Sequence, residues 1–392
     1  MIFVGIDVAK DKHDCCILGP TGEVLRESFS FANNRQGFDA LWIAIQVAVG
    51  SQDDLQIKAG LEATGHYSDN LVAFLRSSGI EPVVFNPLRV KLFRQALSLR
   101  KTKTDKVDAK CIASLLMSDD SNPVAQSYQI QELKSLTRHR SRLVSSRSKA
   151  KTQLARLVDM LFPELPSVCW AISQKSILSL LKELPGAGKI ARSRVDRLIR
   201  LLSENSHGKY KQAKAWEIKA LAQQSVGRDS EALSFELVQV IESILFYERQ
   251  ISVLDKQLAV LVKAMGTPLL SIPGIGCTLA AIILAEIGDV TRFASPDKLL
   301  AFAGLEPSTY QSGHFTASKT PMVKHGSTYL RWALMQAARL VAMRCPDFKR
   351  FKEKKLAQGK HHFVVLGHIA KKLVRVIFHI LTANESFISQ AT

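Results

Sequence analysis

The chain has 392 residues, 46% of them hydrophobic and 22% charged, which suits two or three globular domains and excludes a disordered or collagen-like polymer. Lys and Arg number 53 against 35 Asp and Glu, a formal net charge of +18, so a polyanionic partner is expected, either nucleic acid or an anionic membrane surface. No run reaches the roughly 18 uncharged apolar residues that span a bilayer, and six cysteines without a Cys-x-x-Cys pair argue against a zinc ribbon or disulfide framework and for packed thiols in the cytosol.

The first apolar run, Ile2–Ile6, stops at Asp7 with no basic flank ahead of it, so no signal peptide is expected. The first third alternates in period. Ile2–Val8, Asp14–Leu18 and Glu27–Ala32 predict strands, with Gly19-Pro20-Thr21-Gly22 as a turn. Phe38, Leu41, Trp42, Ile45 and Val49 stand at helical spacing within Arg35–Val49. Strands at Leu55–Glu62 and Pro82–Phe85 alternate with helices at Ser68–Ser77, from Leu88 and from Asp105. A three-strand meander followed by alternating helix and strand is the order of the ribonuclease H-like, α/β mixed sheet.

The middle reads as helical and basic. From Gln131 to Leu161 a leaky heptad runs through Leu133, Leu136, Leu143, Leu154 and Leu157, with Arg140 and Arg147 at seam positions. A cleaner seam follows in Leu237, Val240, Ile244, Tyr247, Ile251, Leu254, Leu258 and Leu261, whose steps alternate three and four. Two such helices predict an antiparallel hairpin, an intermolecular coiled coil, or both; an amphipathic helix on a globular core is the plainer alternative. Between them, about 163–224, lies a basic insertion with its own Leu184-Pro185-Gly186-Ala187-Gly188 turn.

The last third is mainly helical: Ser271-Ile272-Pro273-Gly274-Ile275-Gly276 opens an apolar helix over Cys277–Ile287. A short helix, a polar loop from Glu306 to Gly326 and two further helices follow. Lys319–Arg375 contains only Asp347 and Glu353 as acids, and Lys349–Lys355 reads as a phosphate-contacting face. The Pro-Gly-x-Gly turns at 185–188 and 273–276 are either helix-hairpin-helix corners, whose N–H groups approach phosphate, or plain interhelical turns. His361 and His362, adjacent in a basic stretch, point to nucleic acid or solvent rather than a metal.

Four acids occupy telling places. Asp7 and Glu62 end the first and fourth strands, which are neighbours in a ribonuclease H-like sheet. Asp105 and Asp108 lie one turn apart on a helix that follows. Singly they read as strand ends, a turn residue, and an N-cap with a first-turn acid. Together, in a basic protein, they predict four crowded carboxylates that divalent cations neutralise. Hard oxygen donors suit Mg²⁺ or Mn²⁺, and two such ions clamp the attacking and leaving oxygens of a phosphodiester displacement.

Gly5-Ile6-Asp7-Val8-Ala9-Lys10, Gly60-Leu61-Glu62-Ala63-Thr64-Gly65, Asn86-Pro87 and Lys103-Thr104-Asp105-Lys106-Val107-Asp108-Ala109 resemble the DEDD transposases of bacterial insertion sequences, relatives of the Piv invertase. Ile272–Gly276, Phe302-Ala303-Gly304-Leu305, Gln311-Ser312-Gly313 and Gly326–Arg331 resemble that family's second signature. The resemblance implies a RuvC-like nuclease domain over 1–125, a coiled-coil linker region over 126–265 and a C-terminal transposase domain over 266–392. It implies that Asp7, Glu62, Asp105 and Asp108 bind the metal and that Ser312 is the nucleophile, with Ser308, Ser318 and Ser327 as competitors. From residues alone, Ser312 reads as part of an ordinary Gln-Ser-Gly turn, and its role as nucleophile rests on the resemblance. The resemblance further implies donor and target DNA, a noncoding bridge RNA, a homo-oligomer (dimer or tetramer) with composite sites, and a bacterial cytoplasmic, nucleoid-associated setting. The alternatives are a Piv-like site-specific invertase, a branched-DNA nuclease, or a non-catalytic nucleic-acid-binding repressor; the presence of all four acids and Ser312 argues against the last.

Overall fold

The computed structural model describes residues 1–50, 56–63, 65–97, 105–118, 128–206, 209–308, 311–312, 315–316 and 322–389. They fall into two compact units, Met1–Gln126 and Ser127–Thr392.

The first unit runs β1 (Ile2–Val8), β2 (Lys12–Leu18), β3 (Val24–Ala32), α1 (Arg35–Val49), β4 (Ile57–Glu62), α2 (Asp69–Ser77), β5 (Val83–Phe85), α3 (Pro87–Leu97) and α4 (Asp105–Met117). The sheet order is β3-β2-β1-β4-β5. β1 is antiparallel to β2 and parallel to β4, giving the expected mixed sheet. Side-chain alternation explains its two faces. Ile2, Val4, Ile6 and Val8 pack with Leu41, Ile45, Leu71 and Leu75 of α1 and α2. Phe3 of β1 and Cys16 and Leu18 of β2 pack on the other face with Ile112 and Leu116 of α4. Asn34 starts α1 by accepting the Gly37 N–H at 2.9 Å.

Glycine sets how closely α4 approaches. A Cβ on Gly5 would lie 2.3 Å from the Ala113 backbone nitrogen, and one on Gly60 would lie 2.7 Å from the Leu116 side chain. The helix therefore lies directly on the two central strands.

In the second unit α5 (Tyr128–Leu161) is followed by four short helices, α6 (Lys175–Glu183), α7 (Ala187–Arg192), α8 (Val195–Ser206) and α9 (Gln212–Gln223), then by α10 (Glu231–Ala264). α5 and α10 have 34 residues each, about 50 Å at the helical rise. Arg140 pairs with Asp255, Lys151 with Glu248 and Arg156 with Glu236. As one number rises the other falls, so the two helices form an antiparallel hairpin within the chain. Leu237, Ile244 and Leu258 of the seam are fully buried, while at its far end Val262 is buried and Leu261 only half-buried. Of the two seam arginines, Arg140 forks onto Asp255 at 2.7 and 3.2 Å, and the Arg147 Nε is buried without a partner among the described residues.

The chain then forms α11 (Cys277–Ile287), α12 (Pro296–Phe302), the two-residue strands β6 (Gln311–Ser312) and β7 (Phe315–Thr316), and α13 (Thr328–Arg344), α14 (Pro346–Ala357) and α15 (His362–Ala383). α11 is buried almost all round, packed with α13 and α15 in one core. Two expectations are corrected here. Three helices, not two, close this region, because Pro346 cannot continue α13 and instead occupies the first turn of α14. The polar loop expected over 306–326 has paired strand edges among its described residues, set out below.

Candidate active site

The acidic site is built at the ends of the central strands. Gly5 pairs with Gly60 and Ile6 with Leu61, so two residues beyond the glycine pair Asp7 and Glu62 face α4 together. Asp7 and Glu62 are half-buried, Asp105 is exposed and Asp108 is 7% exposed. Both acids of α4 lie in its first turn, which the close glycine contacts bring over the strand ends.

The field at Asp7 reports this convergence. Burial raises its carboxyl to about 7, and the charges of Asp108, Asp105, Glu62 and Asp14 push in the same direction. Asp108 faces a cation: the Arg94 Nη1 of α3 donates to its Oδ1 at 2.6 Å. That hydrogen bond, above all, raises the Arg94 guanidinium further. Among the described residues no group of three Asp, Glu, His or Cys is spaced so as to hold a metal ion. The carboxylates are neighbours, with one of them held by arginine. Carboxylate oxygens are nevertheless the donors a hard divalent cation takes, and a cation would relieve the repulsion that, after burial, raises the Asp7 carboxyl.

Sequence reasoning missed Asp14. It pairs directly with Asp7 across β1 and β2, so it projects from the same face. It is 3% exposed and accepts the Ser30 hydroxyl at 2.6 Å. The signal was available in the hairpin register about the turn at 9–11. Arg94 had no such signal, because its role depends on where α3 meets α4.

The serine-bearing segment is a β-ribbon. The Val323 N–H donates to the Glu306 carbonyl at 3.0 Å, Pro307 bridges Met322, and Ser312 stands opposite Phe315. Its root is closed by two glycines at positive φ, Gly304 at 66° and Gly326 at 96°. A Cβ on Gly304 would sit 2.1 Å from the His325 carbonyl, and one on Gly326 would sit 2.1 Å from the Phe302 carbonyl. The two motifs Phe302–Leu305 and Gly326–Arg331 are thus the two sides of one root. Only the backbone of Ser312 is described. Ser318 lies outside the described residues, and Ser308 is half-buried beside the bridge.

Ser327 is tied into the scaffold. Its Oγ accepts the Leu330 N–H at 3.1 Å, capping α13, and donates to Glu286 Oε2 at 2.8 Å. Glu286, 3% exposed, also takes Arg138 of α5 at 2.9 and 3.2 Å. Burial pushes that carboxyl up, but the hydrogen bonds from Arg138 and Ser327 prevail and hold it below its ordinary range. This network pins the ribbon root to α5 and α11.

Comparison with known proteins gives the family. Residues 4–163 match a transposase family model of the DEDD, IS110 type, and residues 266–354 match the model described as "Transposase IS116/IS110/IS902 family". The pilin gene-inverting protein of Moraxella bovis is 25% identical over 98% of this chain and 97% of its own length. The insertion element IS116 44.8 kDa protein of Streptomyces clavuligerus is 24% identical over 98% and 96%. The mini-circle putative transposase for IS117 of Streptomyces coelicolor is 24% identical over 99% and 96%. Among the described residues no helix is long and apolar enough to cross a membrane. With carboxylates gathered at the strand ends and a ribbon between two family motifs, the chain belongs to the IS116/IS110/IS902 family of DEDD transposases, enzymes of DNA transposition and recombination.

Proposed function

We propose that the protein mobilises its own insertion element by cutting and rejoining DNA strands through a phosphoserine link, guided by a noncoding bridge RNA. The observation that carries this reading is the carboxylate cluster around Asp7, with its carboxyl raised to about 7 by burial and by its acidic neighbours.

Asp7, Glu62, Asp105 and Asp108 would hold Mg²⁺ or Mn²⁺, which when bound neutralises charge on the scissile phosphate. Arg94 holds Asp108 in place at the cluster. The Ser312 hydroxyl, carried on the ribbon, attacks phosphorus. Its Oγ–P bond forms as the bond to one strand oxygen breaks, and the hydroxyl proton passes to the departing oxygen through solvent. Attack by an incoming strand hydroxyl reverses the step. The number of phosphoester bonds is conserved, so rejoining needs no external energy. Ser327, fixed between Glu286 and the α13 N–H groups, supports this assignment by being committed to the ribbon root. The finer reading places the carboxylates and the serine in composite sites of a homo-oligomer acting on donor and target DNA in the cytoplasm, at the nucleoid. Similarity to a pilin gene-inverting protein along nearly the full length favours site-specific inversion as the second reading.

Single changes Asp7→Ala, Glu62→Ala and Asp105→Ala should each lower Mg²⁺-dependent strand cleavage by about a thousandfold or more. DNA and RNA binding in gel-shift assays should persist. Full cleavage by Asp105→Ala would sink the metal assignment.

A further inference from the structure

Residues 164–265 lie outside both matched segments, and the basic insertion within them carries eleven Lys and Arg against five Asp and Glu over 163–224. Trp170 in this insertion is 95% exposed, a large apolar surface with nothing in its own unit to cover it. Its surroundings are cationic. The thiol of the preceding Cys169 lies within the field of Lys214, whose ammonium stands 5.9 Å over the Tyr210 ring. Gln174 donates to the Tyr210 hydroxyl at 2.6 Å, so the segments around Trp170 and Tyr210 lie side by side. Lys214 is itself paired with Glu217 at 2.6 Å, whereas Lys209 and Lys211, which flank Tyr210, are exposed and make no ion pair among the described residues.

One residue beyond Gln174, Lys175 lines a groove of about 880 Å³ between α6 and α10. Its wall includes Phe246, 47% exposed, and Arg249. The acids here are neutralised, Glu242 by Lys182 at 3.1 Å and Glu248 by Lys151 at 3.4 Å. Lys175 and Arg249 make no ion pair among the described residues, so the groove keeps a positive excess beside an open aromatic face.

Exposed rings alternating with uncompensated cations match a single nucleic-acid strand, whose bases stack while its phosphates meet ammonium and guanidinium groups. We propose that Trp170 and Phe246, with Lys175, Lys211 and Arg249, form a track that binds an unpaired segment of nucleic acid. It rests on the reading of the chain as a nucleic-acid enzyme but assigns to the insertion a task separate from the carboxylate site.

The test titrates the full-length protein and its Trp170→Ala and Phe246→Ala variants against a fluorescent 12-nucleotide RNA, the same sequence as single-stranded DNA, and a DNA duplex. Each variant should bind single strands about 5- to 100-fold more weakly, with duplex binding unchanged. Trp170→Phe should restore most of the loss. Changing Lys175 and Arg249 together to Gln should reduce the salt slope for single strands by about one. The RNA and DNA arms identify the strand used. Wild-type single-strand affinity in both alanine variants, or an equal loss on duplex, would overturn the track while leaving the transposase reading intact. A change in mass by light scattering with strand binding unaltered would give the patch to a second copy of the chain and also overturn it. Failure of the wild-type protein to bind any of the three probes would count against the broader reading as well.

Discussion

Asp7 folds with a cost that burial, and then its acidic neighbours, impose. Its carboxyl is raised to about 7, so the folded chain holds a proton there that the unfolded chain has already lost. That proton's contribution to stability is complete below the ordinary carboxyl range, and it is lost as pH rises through about 7. Without divalent cations, melting temperature should therefore fall between pH 5 and pH 8. Asp7→Asn should flatten this part of the slope and melt above the wild type at pH 8. Thermal scans in chelator read this directly, and an unchanged slope in the variant would contradict the raised carboxyl. Added Mg²⁺ should stabilise the wild type more at pH 8 than at pH 6.

Gly5 carries the second residue-level forecast. A methyl group there meets the α4 backbone at 2.3 Å, so Gly5→Ala should destabilise the first unit by about 1–3 kcal/mol and lower cleavage without touching an acid. Wild-type denaturation midpoints would show that α4 can withdraw freely. The four acids were legible because strand ends and a helix first turn fix where a side chain goes. Asp14 was legible in principle, one register calculation away. Arg94 and Glu286 were not, since each acquires its partner from another helix, Asp108 lying 14 residues from Arg94 and Arg138 lying 148 from Glu286.

At the scale of elements, periodicity was informative wherever a face is buried. The strands and helices of the first unit follow the predicted order, because a half-buried sheet imposes period two and its covering helices impose period 3.6. The seam of α10 left open whether its partner lay in the same chain, and α5 supplies that partner through antiparallel ion pairs. The ribbon of 306–326 escaped the reading because its strands are short and polar. Its only strong cues were glycines, and their meaning lies in the contact between Gly304 and Gly326 segments. Ile244 and Leu258 are fully buried in different cores of the second unit. The double change Ile244→Asp with Leu258→Asp places two unpaired charges there and should unfold the hairpin, with loss of most helical signal in circular dichroism. A folded double variant of unchanged mass would mean the seam is only surface.

For the whole molecule, a net charge of +18 supplies attraction to polyanions without sequence preference, while the proposed mechanism assigns separate chemistry to the two units: carboxylates in the first, a serine in the second. The account stands or falls on whether that serine takes the phosphate. The most direct measurement incubates wild-type protein, Mg²⁺ and a nicked suicide DNA substrate, then maps the peptide joined to DNA by mass spectrometry. The account predicts a covalent adduct on Ser312, absent in Ser312→Ala, which also loses cleavage yet still binds DNA and RNA. An adduct on Ser308, Ser318 or Ser327 would contradict the residue assigned. Cleavage by Ser312→Ala with free DNA ends and no adduct would replace the serine mechanism with attack by water.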